Sequence, residues 1–216
     1  MCELEGRLSC KNRRRLGPTL FDLALSATLL ASSTRGAAFV WGQDPTPWCL
    51  IAELAMSALA LVVAVLILRR GRAEREPSVT TTTAALPTVV LGAVVTTSVP
   101  ITAWGPSSCM AVGVGAVLAA WAFLTLSTSF AILPARRTTV TAGPYRVIRH
   151  PGYAGELLML FGCVVASEQF AVAALWVIAL ALIHPRMRAE ELTMGECPRY
   201  RAYLSATRYR LVPGVY

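Results

Sequence analysis

Two short stretches near the C-terminus hold most of the residues that can do chemistry. The first is Gly143-Pro144-Tyr145-Arg146-Val147-Ile148-Arg149-His150-Pro151-Gly152-Tyr153, and it carries one of the chain's two histidines. The second is Arg186-Met187-Arg188-Ala189-Glu190-Glu191, followed by Arg199-Tyr200-Arg201-Ala202-Tyr203 and, further on, Val212-Pro213. A helix starting at Pro151, with His150 just before it, would leave backbone N–H groups open to a ligand. Adjacent carboxylates directly beyond an apolar run are unfavourable to bury unless cations accompany them. Arg186 stands four residues before Glu190, so a helix would put both on one face within pairing distance. A solvated salt bridge at a helix end satisfies that spacing equally well, and Arg146 and Arg149 alone read as anchors on the cytoplasmic side. Anchoring does not explain histidine, tyrosine, glycine and proline within the same eleven residues.

Other chemistries find no support in the residue pattern. There is no Ser-His-Asp arrangement and no Gly-rich phosphate loop. The six cysteines (Cys2, Cys10, Cys49, Cys109, Cys163, Cys197) form no CxxC pair and no Cys/His spacing suited to zinc, so no metal site is expected. Cys163 falls inside an apolar run and reads as a small core residue. Cys49 and Cys109 both fall toward the outer face, which leaves a disulfide between them open.

The elements that must position these clusters are membrane helices. The chain has 216 residues, of which 55% are hydrophobic and 15% charged, against about 25% charged in a soluble domain. The formal charge of +8 does not form the single stripe a nucleic acid would need. It sits in clusters between apolar runs, as cytoplasmic loops of membrane proteins require, and nucleic-acid binding is excluded on that ground. Lys11 is the one lysine; the arginine bias, with abundant alanine and valine, points to a GC-rich bacterial source and hence a bacterial plasma membrane.

Apolar runs lie at 16–40, 48–68, 84–104, 109–133 and 153–183. The first follows a basic start; it lacks an A-x-A site and contains Asp22, so a retained helix is preferred to a cleaved signal peptide. The run 109–133 is rich in Gly113, Gly115, Ala116, Ala119 and Ala120, which suits close helix packing in lipid better than a cofactor groove. The last run, 31 residues, would be about 46 Å long as one helix, too long for a hydrocarbon core of about 30 Å. The polar triplet Ser167-Glu168-Gln169 divides it into a hairpin with arms at 153–166 and 169–190, short enough to be tilted or partly re-entrant. The connections 41–47 and 105–108 lack Arg and Lys, whereas the clusters at the N-terminus, 69–75, 136–149 and 186–210 are basic. The expected fold is therefore an all-α, polytopic membrane bundle of about six helices with both termini inside. Residues 1–108 would be N-terminal membrane helices, acting as anchor or tunnel wall, and 109–216 the core that carries the chemistry.

The pattern GPYRxxRHPxY, a hydrophobic hairpin, R-x-x-x-E-E, a Tyr-rich segment and a late Val-Pro resembles the isoprenylcysteine carboxyl methyltransferase family, within a wider group that includes the phospholipid methyltransferases. The resemblance covers roughly 110–216. It implies an S-adenosylmethionine-dependent methyltransferase whose cofactor contacts are Tyr145, His150, Pro151, Gly152 and Tyr153, with Arg137, Thr138, Thr139 and Val140 contributing through backbone. Glu190 would hold the cofactor's amino group and Arg186 would orient the acceptor's carboxylate, these two forming the catalytic pair. The charged cofactor would enter from the cytoplasm and the lipophilic acceptor, an isoprenoid or other hydrophobic natural product, from the bilayer. N-methylation of an amine lipid is the alternative chemistry, and a nicotinamide-dependent reductase a more distant one. A membrane scaffold or transporter subunit is the competing non-enzymatic class; no internal repeat supports it. The chain departs from the family pattern at Gly152, where a bulkier residue is common, in its arginine-containing linker, at His184-Pro185, and in the shortened stretch from Glu191 to Tyr200, which Pro198 interrupts.

Overall fold

The computed structural model describes residues 46–69, 90–96, 98–100, 102–129 and 138–215, with isolated positions at 26, 27, 30, 36 and 87. Most of the helix expected over 16–40, the arginines at 70–75 and Arg137 lie outside the described residues. Among the described residues five α-helices have both ends defined: α1 (Pro47–Arg69), α2 (Pro106–Leu126), α3 (Pro151–Ser167), α4 (Phe170–Gly195) and α5 (Pro198–Ala206). Residues 90–96 are also helical, and 3₁₀ turns occupy Ser127–Ser129 and Gly143–Arg146. The all-α architecture expected from the apolar runs is the one observed. Among the described residues the sole bridge of sheet type joins Ile148 to Tyr209.

Proline opens several elements: α2, α3 and α5 each begin with it, where its fixed φ suits the first turn and its missing N–H goes unneeded. The hairpin of the last apolar run is present. α3 ends at Ser167, Glu168 takes the left-handed conformation (φ 53°), and α4 starts at Phe170. The second arm is longer than the sequence led us to expect. α4 runs 26 residues to Gly195, about 39 Å, and so can cross the hydrocarbon core with its last turns beyond it. It continues through Pro185, which cannot supply the N–H that would bond the carbonyl of Ala181. His184 therefore lies within the helix and not at its end.

Among the described residues three helices, α1, α2 and α4, are long and apolar enough to cross a membrane, and α3 is a shorter apolar helix. The faces of α2 show how. Met110, Val114, Val117, Trp121 and Leu124 recur every three or four residues and are all more than half exposed, an apolar stripe that water would penalise and lipid would not. The opposite face carries the small residues. A Cβ on Gly155 of α3 would stand 2.6 Å from both the Gly115 carbonyl oxygen and the Ala119 nitrogen of α2, and one on Gly162 2.9 Å from the Ser108 carbonyl oxygen. The backbones approach so closely because no side chain stands between them. Gly115 and Ala119 of α2 thus serve packing, as expected, whereas a Cβ on Gly113 would meet nothing within 4 Å. Ser26 and Gly36, both helical, lie against Ala64 and Glu53 of α1.

Two apolar clusters mark the two ends of the bundle. At one end Cys49 and Ala52 pack with Trp104, Cys109, Val112, Cys163, Ala166 and Val172. Cys49 and Cys109 are free thiols there, and the Cys109 thiol donates to the Trp48 carbonyl at 2.8 Å. At the other end Leu66 and Ile67 pack with Ala119, Ala122, Phe123, Tyr145, Met194, Tyr200 and Tyr203.

Candidate active site

The second end of the bundle collects both chemical clusters. The 3₁₀ turn Gly143–Arg146 buries Tyr145, and Ile148, Arg149 and His150 then run beside the tail after α5. The Arg149 and His150 amides donate to the carbonyls of Tyr209 and Arg210, each at 2.9 Å. His150 caps α3 with Pro151 behind it, as the sequence leads one to expect, and is only 4% exposed.

Tyr153, one turn into α3, is where the clusters meet. Its hydroxyl donates to Glu190 Oε2 at 2.9 Å. The Arg186 guanidinium carbon sits 4.7 Å from its ring centroid, and the His150 ring stacks on it at 5.5 Å with 13° between planes. Arg186 and Glu190, one turn apart on α4, therefore converge on one tyrosine of α3. Arg186 is 5% exposed, a buried cation over an aromatic face, an arrangement that helps such a charge to be tolerated.

Glu191 has a different role from its neighbour. It receives Arg210 through Nε at 3.1 Å and Nη2 at 2.8 Å, and Arg149 Nη1 at 3.4 Å. His150 Nε2 lies 3.2 Å from its Oε1. Arg149 is pinned in turn, donating from Nε to the Thr207 carbonyl at 2.6 Å and from Nη2 to that of Leu204 at 2.7 Å. Tyr203 donates its hydroxyl to the Tyr145 carbonyl at 3.0 Å. These bonds tie the histidine turn, the end of α4 and the C-terminal tail into one unit. Burial, and then the nearby Glu190 charge, pushes the Tyr145 and Tyr200 phenols well up, so both stay neutral and able to donate at physiological pH.

The other residues singled out in the sequence fall around this centre. Pro151 and Gly152 are buried in the first turn of α3. A Cβ on Gly152 would meet the Phe123 ring at 2.5 Å, so the phenyl group of α2 fills the space that a bulkier residue would take. Thr139 is buried, Val140 packs against the Tyr145 cluster and Thr138 is exposed.

The sequence reading passed over one residue. Glu156 follows Tyr153 by three positions, on the same face of α3 and one turn deeper into the apolar run. Its charge, that of Arg186 and that of Glu190 act on one another. An acid inside an apolar membrane run was the signal that could have found it. The Arg149–Glu191–Arg210 network was invisible in the sequence because its members lie as much as 61 positions apart.

Residues 105–197 match the phospholipid methyltransferase family. The matched span runs from the start of α2 to the end of α4 and contains His150, Tyr153, Arg186 and Glu190. The chain is also similar to the cobalt-zinc-cadmium resistance protein CzcN of Cupriavidus metallidurans, 36% identical over 72 residues. That similarity covers 32% of this chain and 33% of the relative, so about a third of either length is shared. No solved structure matches. The family match and the lipid-facing helices together describe a membrane protein with a segment similar to phospholipid methyltransferases.

Proposed function

We propose that this protein transfers a methyl group from S-adenosylmethionine to a lipophilic acceptor, at the arginine-rich face of the membrane. The observation that carries the reading is the convergence of Arg186, Glu190 and His150 on Tyr153, within the segment that matches a methyltransferase family.

The residues fit the cofactor's charges. Its amino-acid end is a zwitterion and its sulfonium a cation. Glu190 is a carboxylate with one tyrosine donor, able to take the amino group. Tyr153, Tyr145 and His150 supply aromatic surface, which suits a cation. Pro151, Gly152 and the 138–140 backbone complete the wall. When bound, the cofactor supplies an electrophilic methyl group. The protein's part is to align the acceptor and exclude water.

Arg186 supports a carboxylate acceptor, giving a methyl ester. A carboxylate, with a reference pKa of about 4, is ionised at neutral pH and needs no base, and a guanidinium can grip it through two bonds. Glu156 favours a second reading, transfer to an amine, because it sets another anion beside Arg186.

The test is equilibrium binding of S-adenosylmethionine to the purified protein, with Glu190→Gln beside it. The expected result is a loss of affinity of tenfold or more, the scale of one charge-assisted hydrogen bond. Equal binding by the two proteins would remove the proposal's main support.

A further inference from the structure

The tail that follows α5 lies beyond the segment that matches the phospholipid methyltransferase family, yet one of its residues holds the His150 turn twice. The Arg210 carbonyl accepts from the His150 amide at 2.9 Å. The Arg210 guanidinium grips both oxygens of Glu191, from Nε to Oε1 at 3.1 Å and from Nη2 to Oε2 at 2.8 Å. Glu191 Oε1 in turn lies 3.2 Å from Nε2 of the His150 ring. Directly after Arg210, Leu211 is buried with Leu157, Ile183 and Met187 of α3 and α4, which anchors the tail where it makes these bonds.

That grip decides which ring nitrogen carries the proton. An ionised carboxylate only accepts, so the nitrogen facing Glu191 must donate, and in a neutral imidazole the other nitrogen is then an acceptor. The charges agree with a neutral ring. Arg149 and Arg210 already balance Glu190 and Glu191, and an imidazolium would add a cation to a site that also holds Arg186. The ring is 4% exposed and stacked within 13° on Tyr153, so its plane is set as well. Its accepting nitrogen, Nδ1, faces Glu190 Oε2 across 3.8 Å. That gap is too long for a direct hydrogen bond, and two acceptors have no proton to share. One nitrogen with two N–H groups fits between them, with bonds of about 2.8–3.0 Å to each, and a positive charge on it suits the carboxylate.

We infer that Arg210 and Glu191 are positioning residues that hold His150 as its Nε2–H tautomer, so that Nδ1 and Glu190 Oε2 together receive the ammonium group of the cofactor. This rests on the proposed methyltransferase reading, and it makes the C-terminal tail part of the site. Arg210 and Glu191 act through the histidine and need not touch the cofactor.

The experiment takes two readouts on the full-length protein in detergent. The first needs no ligand: nitrogen-15 NMR of ring-labelled histidine, with His184→Gln removing the signals of the one other histidine. Wild type should show a protonated Nε2 and a bare Nδ1, and Arg210→Gln a mixture of tautomers. The second compares binding of S-adenosylhomocysteine with that of 5′-methylthioadenosine, which keeps the nucleoside and sulfur and lacks the amino-acid end. Arg210→Gln should weaken S-adenosylhomocysteine about tenfold, the scale of one charge-assisted hydrogen bond, and leave 5′-methylthioadenosine within about twofold. Arg210→Lys keeps the charge and loses the two-point grip. It should fall between, and it decides the matter if Arg210→Gln does not fold. A loss shared equally by both ligands would make Arg210 a merely structural residue and overturn the inference. So would a protonated Nδ1 in wild type, or variants with unchanged tautomer and affinity. Wild type that binds neither ligand would instead overturn the methyltransferase reading itself.

Discussion

Glu190 and Glu191 are adjacent on one helix, and their surroundings assign them opposite work. The Glu190 side chain is 37% exposed and receives one tyrosine hydroxyl, whereas that of Glu191 is 11% exposed and closes a net of Arg149, His150 and Arg210. Replacing a carboxylate that two arginines depend on strands their charge, which costs about 2–4 kcal/mol when the pair is mostly buried. Glu191→Gln should therefore lower the melting temperature in detergent by several degrees and loosen the His150 turn. Glu190→Gln should leave the melting temperature within about 1–2 °C of wild type, because an exposed group with one bond contributes little, and should show its loss in cofactor affinity. The same cofactor loss and the same destabilisation in both variants would contradict the division. Tyr153→Phe separates the hydroxyl from the ring. It removes the bond to Glu190 and keeps the stack on His150 and the face beneath Arg186, so a loss of about 1 kcal/mol in cofactor binding is expected. Tyr153→Ala should lose substantially more, since Arg186 would then lie over no aromatic face.

At the level of helices, the contact of α2 with α3 depends on atoms that are missing. Gly155→Leu would push a side chain against the backbone of Gly115 and Ala119, neither of which can turn away. A loss of about 3 kcal/mol or outright failure to fold is expected. Gly113→Leu is the matched control, because nothing lies within 4 Å of a Cβ there; its melting temperature in detergent should match wild type. This part of the fold was legible in sequence, since glycine and alanine spacing on an apolar run has few other uses in lipid. The hairpin was legible as well: the run was too long for one crossing and held one polar triplet, and Glu168 does make the turn. The extent of α4 was not. Residues 191–195 stay helical with Glu191 held by the histidine turn and Met194 packed on Tyr200 and Tyr203 of α5, a tertiary effect that no local pattern carries. In the site, Arg186, Glu190 and Tyr153 could be read from a motif and a helical spacing. Glu156 lay hidden as one acid among leucines. Of the partners of Glu191, Arg210 was hidden because it comes from the tail.

The molecule as a whole is polar along its axis, and that polarity sets which face the chemistry occupies. Among the described residues, every arginine from Arg69 through Arg146, Arg149, Arg186 and Arg188 to Arg199, Arg201, Arg208 and Arg210 belongs to the end that holds Tyr145 and Tyr203 or to the polar segments continuous with it. Among the described residues the opposite end, with Trp48, Trp104 and the turn at Glu168, carries no arginine or lysine. Short basic segments are retained in the cytoplasm during insertion, and unpaired arginines cross poorly. The site should therefore face the cytoplasm, where a water-soluble charged cofactor is made and kept. Two measurements on intact bacterial cells decide this together. A cysteine placed at Gln169, exposed in the hairpin turn, should react with a membrane-impermeant maleimide added outside. One at Ser205, exposed on α5, should react only after the cells are opened. The reverse pattern would turn the pocket away from its cofactor supply, and labelling of both positions from outside would mean that the hairpin does not cross.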